Sequence, residues 1–309
     1  MNKKVLIFFF LLITFILPSE TMKLAIGYIP HVQFTPLYVG IEKGFYKEEG
    51  IDLEIEYGFG IDVFSLLAAG KIDLGLSDSD SLIISKEKGV ALKAIFQYYQ
   101  KYPVTIAAKK DKIKSPSDFK DKQIGTPQLS GTSYIGLLIF LKEFGLQDKV
   151  EIKKIGYTQI PALLSDKVDG VVCFINNEPI QLKKTGTELI SWNVMEFSDI
   201  VGASFITHQR QIEKKEELLK AFIRATQKAM EYTVNNTDEA FKISLNYIGD
   251  IKQTDYQFHK EVLLATCKLF DLGKGYGTLD EENYQKSIHI LFENGLINKE
   301  YSAKDILYK

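Results

Sequence analysis

Apolar and polar residues alternate in some stretches of the chain and recur with helical spacing in others. Residues Ile51–Tyr57 place an apolar side chain at every second position with acidic residues between, which predicts a strand with one wetted face. Further strands are predicted at 23–29 and 74–76, and helices at 38–47, 63–69 and 82–88. Strands that alternate with helices predict a parallel sheet with helices packed on its faces.

The same order of elements recurs in the second half of the chain. Strands are predicted at 122–126, 150–157 and 170–174, and helices at 133–144 and 160–165. Each half also contains a helix followed by lysine, a branched apolar residue and aspartate, at Lys71 and Asp73 and again at Lys167 and Asp169. This repetition predicts two similarly built lobes.

Two extended apolar segments, 102–108 and 202–207, are predicted to cross between the lobes and to act as hinges. The segment 202–207 is also compatible with a further core strand. Helices predicted at 216–232, 237–247, 255–270 and 280–294 return to the first lobe. The predicted fold is α/β, with a first lobe at 22–106 plus 205–309 and a second lobe at 107–204. Each lobe is a mostly parallel sheet flanked by helices.

The N-terminal segment has the features of an export signal. Lys3 and Lys4 precede an apolar run at 5–17, and Pro18 follows it. The run is shorter than the roughly 20 residues of a typical membrane-spanning helix. Residues 1–21 are therefore predicted to be a signal peptide or an uncleaved N-terminal anchor, and the protein is predicted to work outside the cytoplasm.

Composition excludes several functions. The formal net charge of −2 gives no basic surface for nucleic acid. Cys173 and Cys267 are predicted to be buried apolar residues, although a disulfide between them stays open. The sequence contains no paired Cys or His spacing for a metal, no nucleophile turn and no phosphate-binding loop. We therefore predict a non-catalytic protein without a metal or cofactor, and we expect it to be a monomer.

Candidate ligand-binding residues follow the predicted strands, because open parallel sheets bind ligands beyond the carboxyl ends of their strands. Aromatic rings among them could stack on a flat ligand, and amides could bond to the edge of a heterocycle. Each aromatic residue is equally compatible with core packing, and Asp78 and Ser79 with capping of the next helix. The candidates are Tyr28, His31, Gln33, Phe34, Phe59, Asp78, Ser79, Tyr99, Gln128, Thr132, Ser133, Tyr134, Asn176, Asn177 and Glu178.

Two stretches resemble a known family. The run KGFYKEEGID at 43–52, with the segments 27–30 and 38–40 before it, resembles the thiamine-pyrimidine/sulfonate (NMT1-like) class of periplasmic binding proteins. The run KSPSDFKDK at 114–122 resembles the start of the second lobe in that class. The resemblance implies a two-lobed type II fold and an exported receptor that closes over a small molecule. It also implies delivery of that molecule to the permease of an ABC importer.

Three segments are more similar to the riboflavin-binding branch of this class: IPHVQF at 29–34, YQKYP at 99–103 and NNEP at 176–179. The thiamine-pyrimidine branch typically has Trp and Asn near Tyr28 and His31, and this chain departs from that pattern. The resemblance therefore implies a small aromatic vitamin, riboflavin first and hydroxymethylpyrimidine as the alternative. A second alternative is a pyrimidine- or menaquinone-pathway enzyme of the same fold. The cysteine-rich iron-binding motif of the related pyrimidine-forming enzymes is absent.

Overall fold

The computed structural model describes residues 19–271 and 273–308 of the chain. Residues 1–18 of the predicted export segment thus lie outside the described residues. Glu20 and Thr21 already belong to the first strand, because Glu20 pairs with Ile51 and its amide donates to the Gly50 carbonyl at 2.8 Å. The sheet therefore begins inside the segment predicted for export. None of the helices in the described ranges is both long enough and apolar enough to span a membrane.

The described residues form two five-stranded sheets. The first sheet contains β1 Glu20–Ile26, β2 Ile51–Tyr57, β3 Leu74–Asp78, β4 Leu92–Gln97 and β10 Ala203–His208. The second sheet contains β5 Val104–Lys109, β6 Gln123–Thr126, β7 Glu151–Lys154, β8 Gly170–Phe174 and β9 Leu189–Asn193. Their spatial orders, β2-β1-β3-β10-β4 and β7-β6-β8-β5-β9, are one pattern built twice. In each sheet one strand, β10 or β5, runs in the direction opposite to the other four, so the predicted mostly parallel sheets are confirmed.

Helices flank both sheets. They are α1 Thr35–Glu42, α2 Phe45–Glu48, α3 Val63–Ala68, α4 Ser79–Glu87, α5 Gly131–Glu143, α6 Gln159–Leu164, α7 Glu178–Lys184, α8 Gln209–Asn235, α9 Thr237–Ser244, α10 Tyr256–Cys267 and α11 Glu281–Glu293. The 27-residue helix α8 packs against α1, α2 and three strands of the first sheet. The helices after β10 thus return to the first sheet, as predicted.

One predicted helix is two in the structure. The segment 38–47 contains the end of α1 and most of α2, because Gly44 adopts a left-handed φ of 74° between them. Glycine adopts this conformation without the steric cost that a Cβ atom imposes, and it commonly ends helices. The predicted strands at 51–57 and 170–174, in contrast, coincide with β2 and β8.

The repeated lysine and aspartate motif occupies equivalent positions in the two sheets. The Asp73 carboxylate accepts from the Lys23 amide at 2.9 Å, and the Asp73 amide donates to the Lys23 carbonyl at 2.9 Å. Asp169 makes the same two hydrogen bonds with Gln123, again at 2.9 Å. Asp73 therefore anchors β1 to the start of β3, and Asp169 anchors β6 to the start of β8.

The chain crosses between the sheets at 98–103 and 194–202. The predicted crossings at 102–108 and 202–207 are mostly strands β5 and β10, so the predicted lobe boundaries at 106/107 and 204/205 fall inside strands. Their apolar sequence reflects burial within the sheets, and hinge motion about the crossings stays a prediction. We therefore define the first lobe as residues 19–97 and 203–308, and the second lobe as residues 104–193.

The two crossings run side by side and are joined by Gln97. The side-chain Nε2 of Gln97 lies 2.9 Å from the Tyr99 carbonyl oxygen and 3.0 Å from those of Gly202 and Ala203. A Cβ atom on Gly202 would lie 2.5 Å from the Tyr99 carbonyl oxygen and 2.6 Å from that of Lys101. Only glycine therefore allows the crossings to approach this closely.

Both cysteines are free thiols. Cys173 is buried in β8, and Cys267 is half-buried at the end of α10. The disulfide that the sequence left open does not form in this structure.

Candidate functional site

A cavity of about 360 Å³ lies between the two lobes. The first lobe contributes residues that follow β1, β2 and β3, and the second lobe contributes residues that follow β6, β7 and β8. The volume falls within the roughly 300–1,000 Å³ typical of small-molecule sites. The cavity therefore occupies the position expected of a ligand site at the carboxyl ends of the strands in both sheets.

Ten of the predicted site residues line this cavity. Those from the first lobe and the crossing are Tyr28, Gln33, Phe34, Asp78 and Tyr99, and those from the second lobe are Gln128, Thr132, Ser133, Asn177 and Glu178. The first group supplies most of the aromatic surface, whereas the second supplies mainly amides and hydroxyls. Ligand contact by these residues remains a prediction, but the fold brings them around one space.

Hydrogen bonds fix the aromatic wall on the first-lobe side. The Tyr99 hydroxyl donates to the Gln33 side-chain Oε1 at 3.2 Å, and the Tyr98 hydroxyl donates to the Gln33 carbonyl at 2.7 Å. The Tyr99 ring stacks on Phe270, with centroids 6.0 Å apart and planes 17° apart. Gln33 and Tyr99 therefore present a preorganised surface, which lowers the entropy lost on binding.

Three rings bridge the lobes at the exposed edge of the cavity. The Phe59 and Tyr157 ring centroids are 5.0 Å apart, and Tyr28 lies 5.1 Å from Phe59 and 6.4 Å from Tyr157. Phe59 follows β2 and Tyr157 follows β7, which are equivalent strands of the two sheets. Phe59 is absent from the residues that line the cavity, and its contact with Tyr157 joins the two lobes beside it.

Two of the predicted residues point into the first-lobe core or away from the cleft. The Ser79 hydroxyl lies 3.0 Å from the hydroxyls of Ser204 and Tyr284, because the chain turns inward as α4 begins. Tyr134 follows Thr132 by two positions on α5, a rotation of about 200° around the helix. Tyr134 is accordingly absent from the residues that line the cavity.

Asn176 and Asn177 point in different directions from the turn after β8. Asn177 lines the cavity. Asn176 is buried, and its Nδ2 donates to the Thr266 hydroxyl on α10 at 2.8 Å. Asn176 therefore joins the second lobe to the first at the side of the cleft instead of facing the cavity.

His31 holds the loop after β1 in place without lining the cavity. Its Nδ1 accepts from the Gln33 amide at 3.4 Å, and its ring contacts Tyr28 and His259 at centroid distances of 6.0 and 6.2 Å. Burial and the neighbouring His259 lower the pKa of His31 to about 4. His31 is therefore neutral near pH 7 and supplies no positive charge to the cleft.

The buried carboxylate of Asp80 connects the lobes at the floor of the cavity. It accepts hydrogen bonds from the hydroxyls of Tyr102 at 2.8 Å, Thr132 at 2.9 Å and Ser81 at 3.1 Å. Tyr102 belongs to a crossing and Thr132 begins α5 of the second lobe. Burial raises the pKa of Asp80, and these donors oppose that shift by stabilising the ionised form.

Asp78 faces the cavity two residues before this carboxylate. Burial and the neighbouring Asp80 raise the pKa of Asp78 to about 7. Tyr102, Thr132 and Ser81 oppose the rise in the pKa of Asp80, whereas only Thr132 opposes that of Asp78, so Asp78 is the carboxyl of the pair that holds a proton more readily. The sequence alone left capping of α4 open for Asp78, but its side chain makes no capping hydrogen bond.

Glu178 is the corresponding carboxyl of the second lobe. Its oxygens accept from the Phe174 amide at 3.0 Å and from the Gln159 side-chain amide at 3.1 Å. Burial raises the pKa of Glu178. Burial and the nearby Glu178 also raise the pKa of Tyr28 to about 12, so this tyrosine stays protonated and can donate.

The charge of the lining is one-sided. Among the described residues around the cavity, the ionisable acids are Asp62, Asp78 and Glu178, and none is Lys, Arg or His. A ligand that carries a negative charge would meet carboxyls without a cationic side chain beside it. No cluster of His, Cys, Asp or Glu within the described ranges could hold a metal ion.

Several lining residues were not predicted, among them Tyr157, Gln159, Phe174, Tyr98 and Phe64. Tyr157 and Gln159 follow β7, the counterpart of β2, and the sequence repeat could have identified that loop. Phe174 is the last residue of a strand that reads as pure core. Nothing in its local sequence distinguishes a core position from a cavity wall.

The paired sheets, the double crossing and the cleft define a two-lobed fold of the periplasmic-binding-protein type. The periplasmic aliphatic sulphonate binding protein SsuA from Escherichia coli superposes with a TM-score of 0.73 at 13% identity, over 94% of this chain and 92% of that chain. The chain belongs to the NMT1/THI5-like family, whose model matches residues 31–240. The predicted fold and the predicted family are both confirmed.

Relatives in this family carry different functional names. The riboflavin-binding protein RibY of Chloroflexus aurantiacus is 30% identical over 249 residues, 79% of this chain and 71% of RibY. The formylaminopyrimidine-binding protein of Halalkalibacterium halodurans is 26% identical, over 93% of this chain and 89% of that protein. The 4-amino-5-hydroxymethyl-2-methylpyrimidine phosphate synthase of Legionella pneumophila is 25% identical, over 93% and 92%. The family thus includes proteins named as receptors and as enzymes.

Proposed function

We propose that the protein is the exported, monomeric solute-binding receptor of an ABC importer and that it binds riboflavin between its lobes. The observation that carries this proposal is the lining of the cavity, which combines aromatic rings, amides and hydroxyls and has no cationic side chain among its described residues. Riboflavin is a flat, uncharged ring system with N–H and C=O groups on its edge. The 30% identity to a protein named for riboflavin binding supports the same ligand.

The expected pose places the ring system against Phe34 and Tyr99, with its polar edge toward Gln128 and Asn177. An aromatic pair contributes about 0.5–1.5 kcal/mol beyond the area it buries. Two such contacts, burial of the ring and several hydrogen bonds are sufficient for micromolar affinity, which corresponds to about −8 kcal/mol. Residues from both lobes then hold the ligand, and binding favours the closed cleft over the open one.

The start of α5 supplies a second kind of contact. Thr132 and Ser133 line the cavity in its first turn, where backbone N–H groups have no partner within the helix. These groups suit the carbonyl oxygens of a flavin or a pyrimidine. The closed complex would then dock on permease subunits in the membrane and release the vitamin there.

Hydroxymethylpyrimidine is the second candidate ligand. Asp78 and Glu178 could accept hydrogen bonds from an aminopyrimidine, and two of the relatives described above are named for pyrimidines. The synthase named among the relatives raises the enzymatic alternative. We favour a receptor because this chain has two cysteines in all and lacks the cysteine-rich motif of those enzymes.

Titration of riboflavin with the protein is expected to quench the fluorescence of the flavin, with a Kd at or below about 1 μM. Quenching follows from stacking of the ring on tyrosine. Riboflavin at 100 times the Kd should also stabilise the protein against unfolding by about 2.7 kcal/mol. Recovery of unaltered riboflavin after long incubation is expected of a receptor.

Gln128→Ala provides the matched test of the site. It should weaken riboflavin binding at least about fivefold, since it removes one hydrogen bond of roughly 1 kcal/mol. Gln147→Ala, an exposed glutamine on the same lobe, should leave the Kd unchanged. A thermal shift with hydroxymethylpyrimidine and none with riboflavin would reverse the choice of ligand. Chemical conversion of either compound would contradict the receptor function.

A further inference from the structure

We infer that a groove behind the second crossing controls how readily the lobes separate. The lobes rotate about one short stretch of each crossing, residues 101–102 and 198–200, and the groove narrows as the ligand cleft opens. A bulky side chain in the groove therefore holds the cleft closed. This inference rests on the proposed function in one respect, because it takes opening of the lobes to be the step that releases the ligand.

The second crossing is attached to a different lobe on each side of residues 198–200. Before this stretch, the Phe197 ring packs against Phe144 of the second lobe, with centroids 5.4 Å apart. After it, the Val201 amide donates to the Ser287 hydroxyl on α11 of the first lobe at 3.0 Å. Rotation of one lobe against the other is therefore concentrated in the backbone dihedral angles between these two attachments.

The first crossing has the same arrangement around residues 101–102. On one side of this stretch, the Gln100 amide donates to the Leu269 carbonyl of the first lobe at 2.8 Å. On the other side, the Pro103 carbonyl accepts from the Ile175 amide, next to the last strand residue of β8, at 2.8 Å. The backbone between these hydrogen bonds is the part of this crossing that can turn while both lobes stay intact.

A groove of about 990 Å³ lies between the lobes along the second crossing. One wall is the C-terminal half of α5 from the second lobe, the other is α11 from the first lobe, and residues 195–199 of the crossing lie between them. At one end the walls already meet, because the Lys142 ammonium of α5 donates to the Glu293 carbonyl of α11. Movement of α5 toward α11 therefore reduces the space in the groove.

The groove and the ligand cavity lie at opposite ends of the same elements, and no described residue lines both. Thr132 in the first turn of α5 lines the cavity, and Lys142 near its end lines the groove, about 15 Å farther along the helix. The second crossing likewise leads from the groove at 195–199 to the cavity at Ala203. Rotation about residues between the two spaces widens one as it narrows the other, so opening of the cleft closes the groove.

The experiment places a tryptophan ring in the groove of the full chain. Glu143→Trp does so from the α5 wall and Glu293→Trp from the α11 wall, both at exposed positions. Without ligand, each variant should have a smaller radius of gyration in X-ray scattering than wild type. Each should also release riboflavin at least about threefold more slowly, because the complex opens before the ligand leaves. Gln147→Trp, at an exposed position outside the groove, should match wild type in both measurements.

Scattering without ligand tests the groove separately from the identity of the ligand. Radii of gyration for Glu143→Trp and Glu293→Trp that equal or exceed the wild-type value would overturn the role of the groove and leave the receptor function standing. Scattering of ligand-free wild type that matches this structure, in which the lobes touch, would also overturn it, since no opening would remain to be blocked. Failure of both riboflavin and hydroxymethylpyrimidine to bind would overturn the proposed function, whereas compaction by the two variants would still support the groove. Circular dichroism of each variant establishes that it is folded.

Discussion

Gly202→Ala is expected to lower the free energy of unfolding by about 3 kcal/mol, the upper end of the usual cost of overpacking. The added Cβ would lie 2.5 Å from the Tyr99 carbonyl oxygen and 2.6 Å from that of Lys101. Both neighbours are backbone atoms in the other crossing, and Gln97 holds the crossings together, so neither can move cheaply. Urea denaturation followed by circular dichroism measures the loss.

The matched control is Gly27→Ala, also in a backbone conformation that alanine adopts without strain. Its Cβ would meet its nearest heavy atom, the Ile61 carbonyl oxygen, at an ordinary contact distance of 3.5 Å. We expect this variant to stay within about 0.5 kcal/mol of wild type, as surface substitutions usually do. Equal stability of the two variants would contradict the close approach of the two crossings at Gly202.

Tyr102→Phe is expected to lower the free energy of unfolding by about 1.5–3 kcal/mol, the usual value for a hydrogen bond to a charged group. The lost hydroxyl donates to Asp80 at 2.8 Å, and the carboxylate would remain buried with one donor fewer. The substitution should also raise the pKa of Asp80, because a bond that stabilises the ionised form is removed. Denaturation at several pH values measures both effects.

Tyr284→Phe is the control for this prediction. The Tyr284 hydroxyl is equally buried, but its partner at 3.0 Å is the neutral hydroxyl of Ser79. A neutral hydrogen bond contributes about 0.5–1.5 kcal/mol, so this variant should be the milder of the two. If Tyr102→Phe proved no more destabilising than Tyr284→Phe, Asp80 would not act as an ionised link between the lobes.

The elements of the fold are largely encoded locally, and they were predicted on that basis. Alternating apolar and acidic residues placed β2 at its observed bounds, and the repeated motif at Asp73 and Asp169 marked equivalent positions in the two sheets. The lobe boundaries were less accurate. A crossing and a buried strand can both have an apolar, extended sequence. Only the pairing of β5 and β10 with neighbouring strands shows that these segments belong to the sheets.

The direction of each side chain at the strand ends could not be predicted from the sequence. Asn176 and Asn177 are chemically identical neighbours, yet one binds Thr266 on α10 and the other lines the cavity. Their difference arises from the turn after β8, which tertiary packing determines. Tyr157 shows the opposite case, since the repeat of β2 by β7 contained the information needed to find it.

The central claim is that one small aromatic ligand is held by both lobes at once. A crystal structure of the protein grown with riboflavin tests it most directly. We expect density for the flavin ring inside the cleft, in contact with Tyr99 on one side and with Gln128 and Asn177 on the other. A flavin bound to one lobe alone, or outside a cleft that closes without it, would contradict the account.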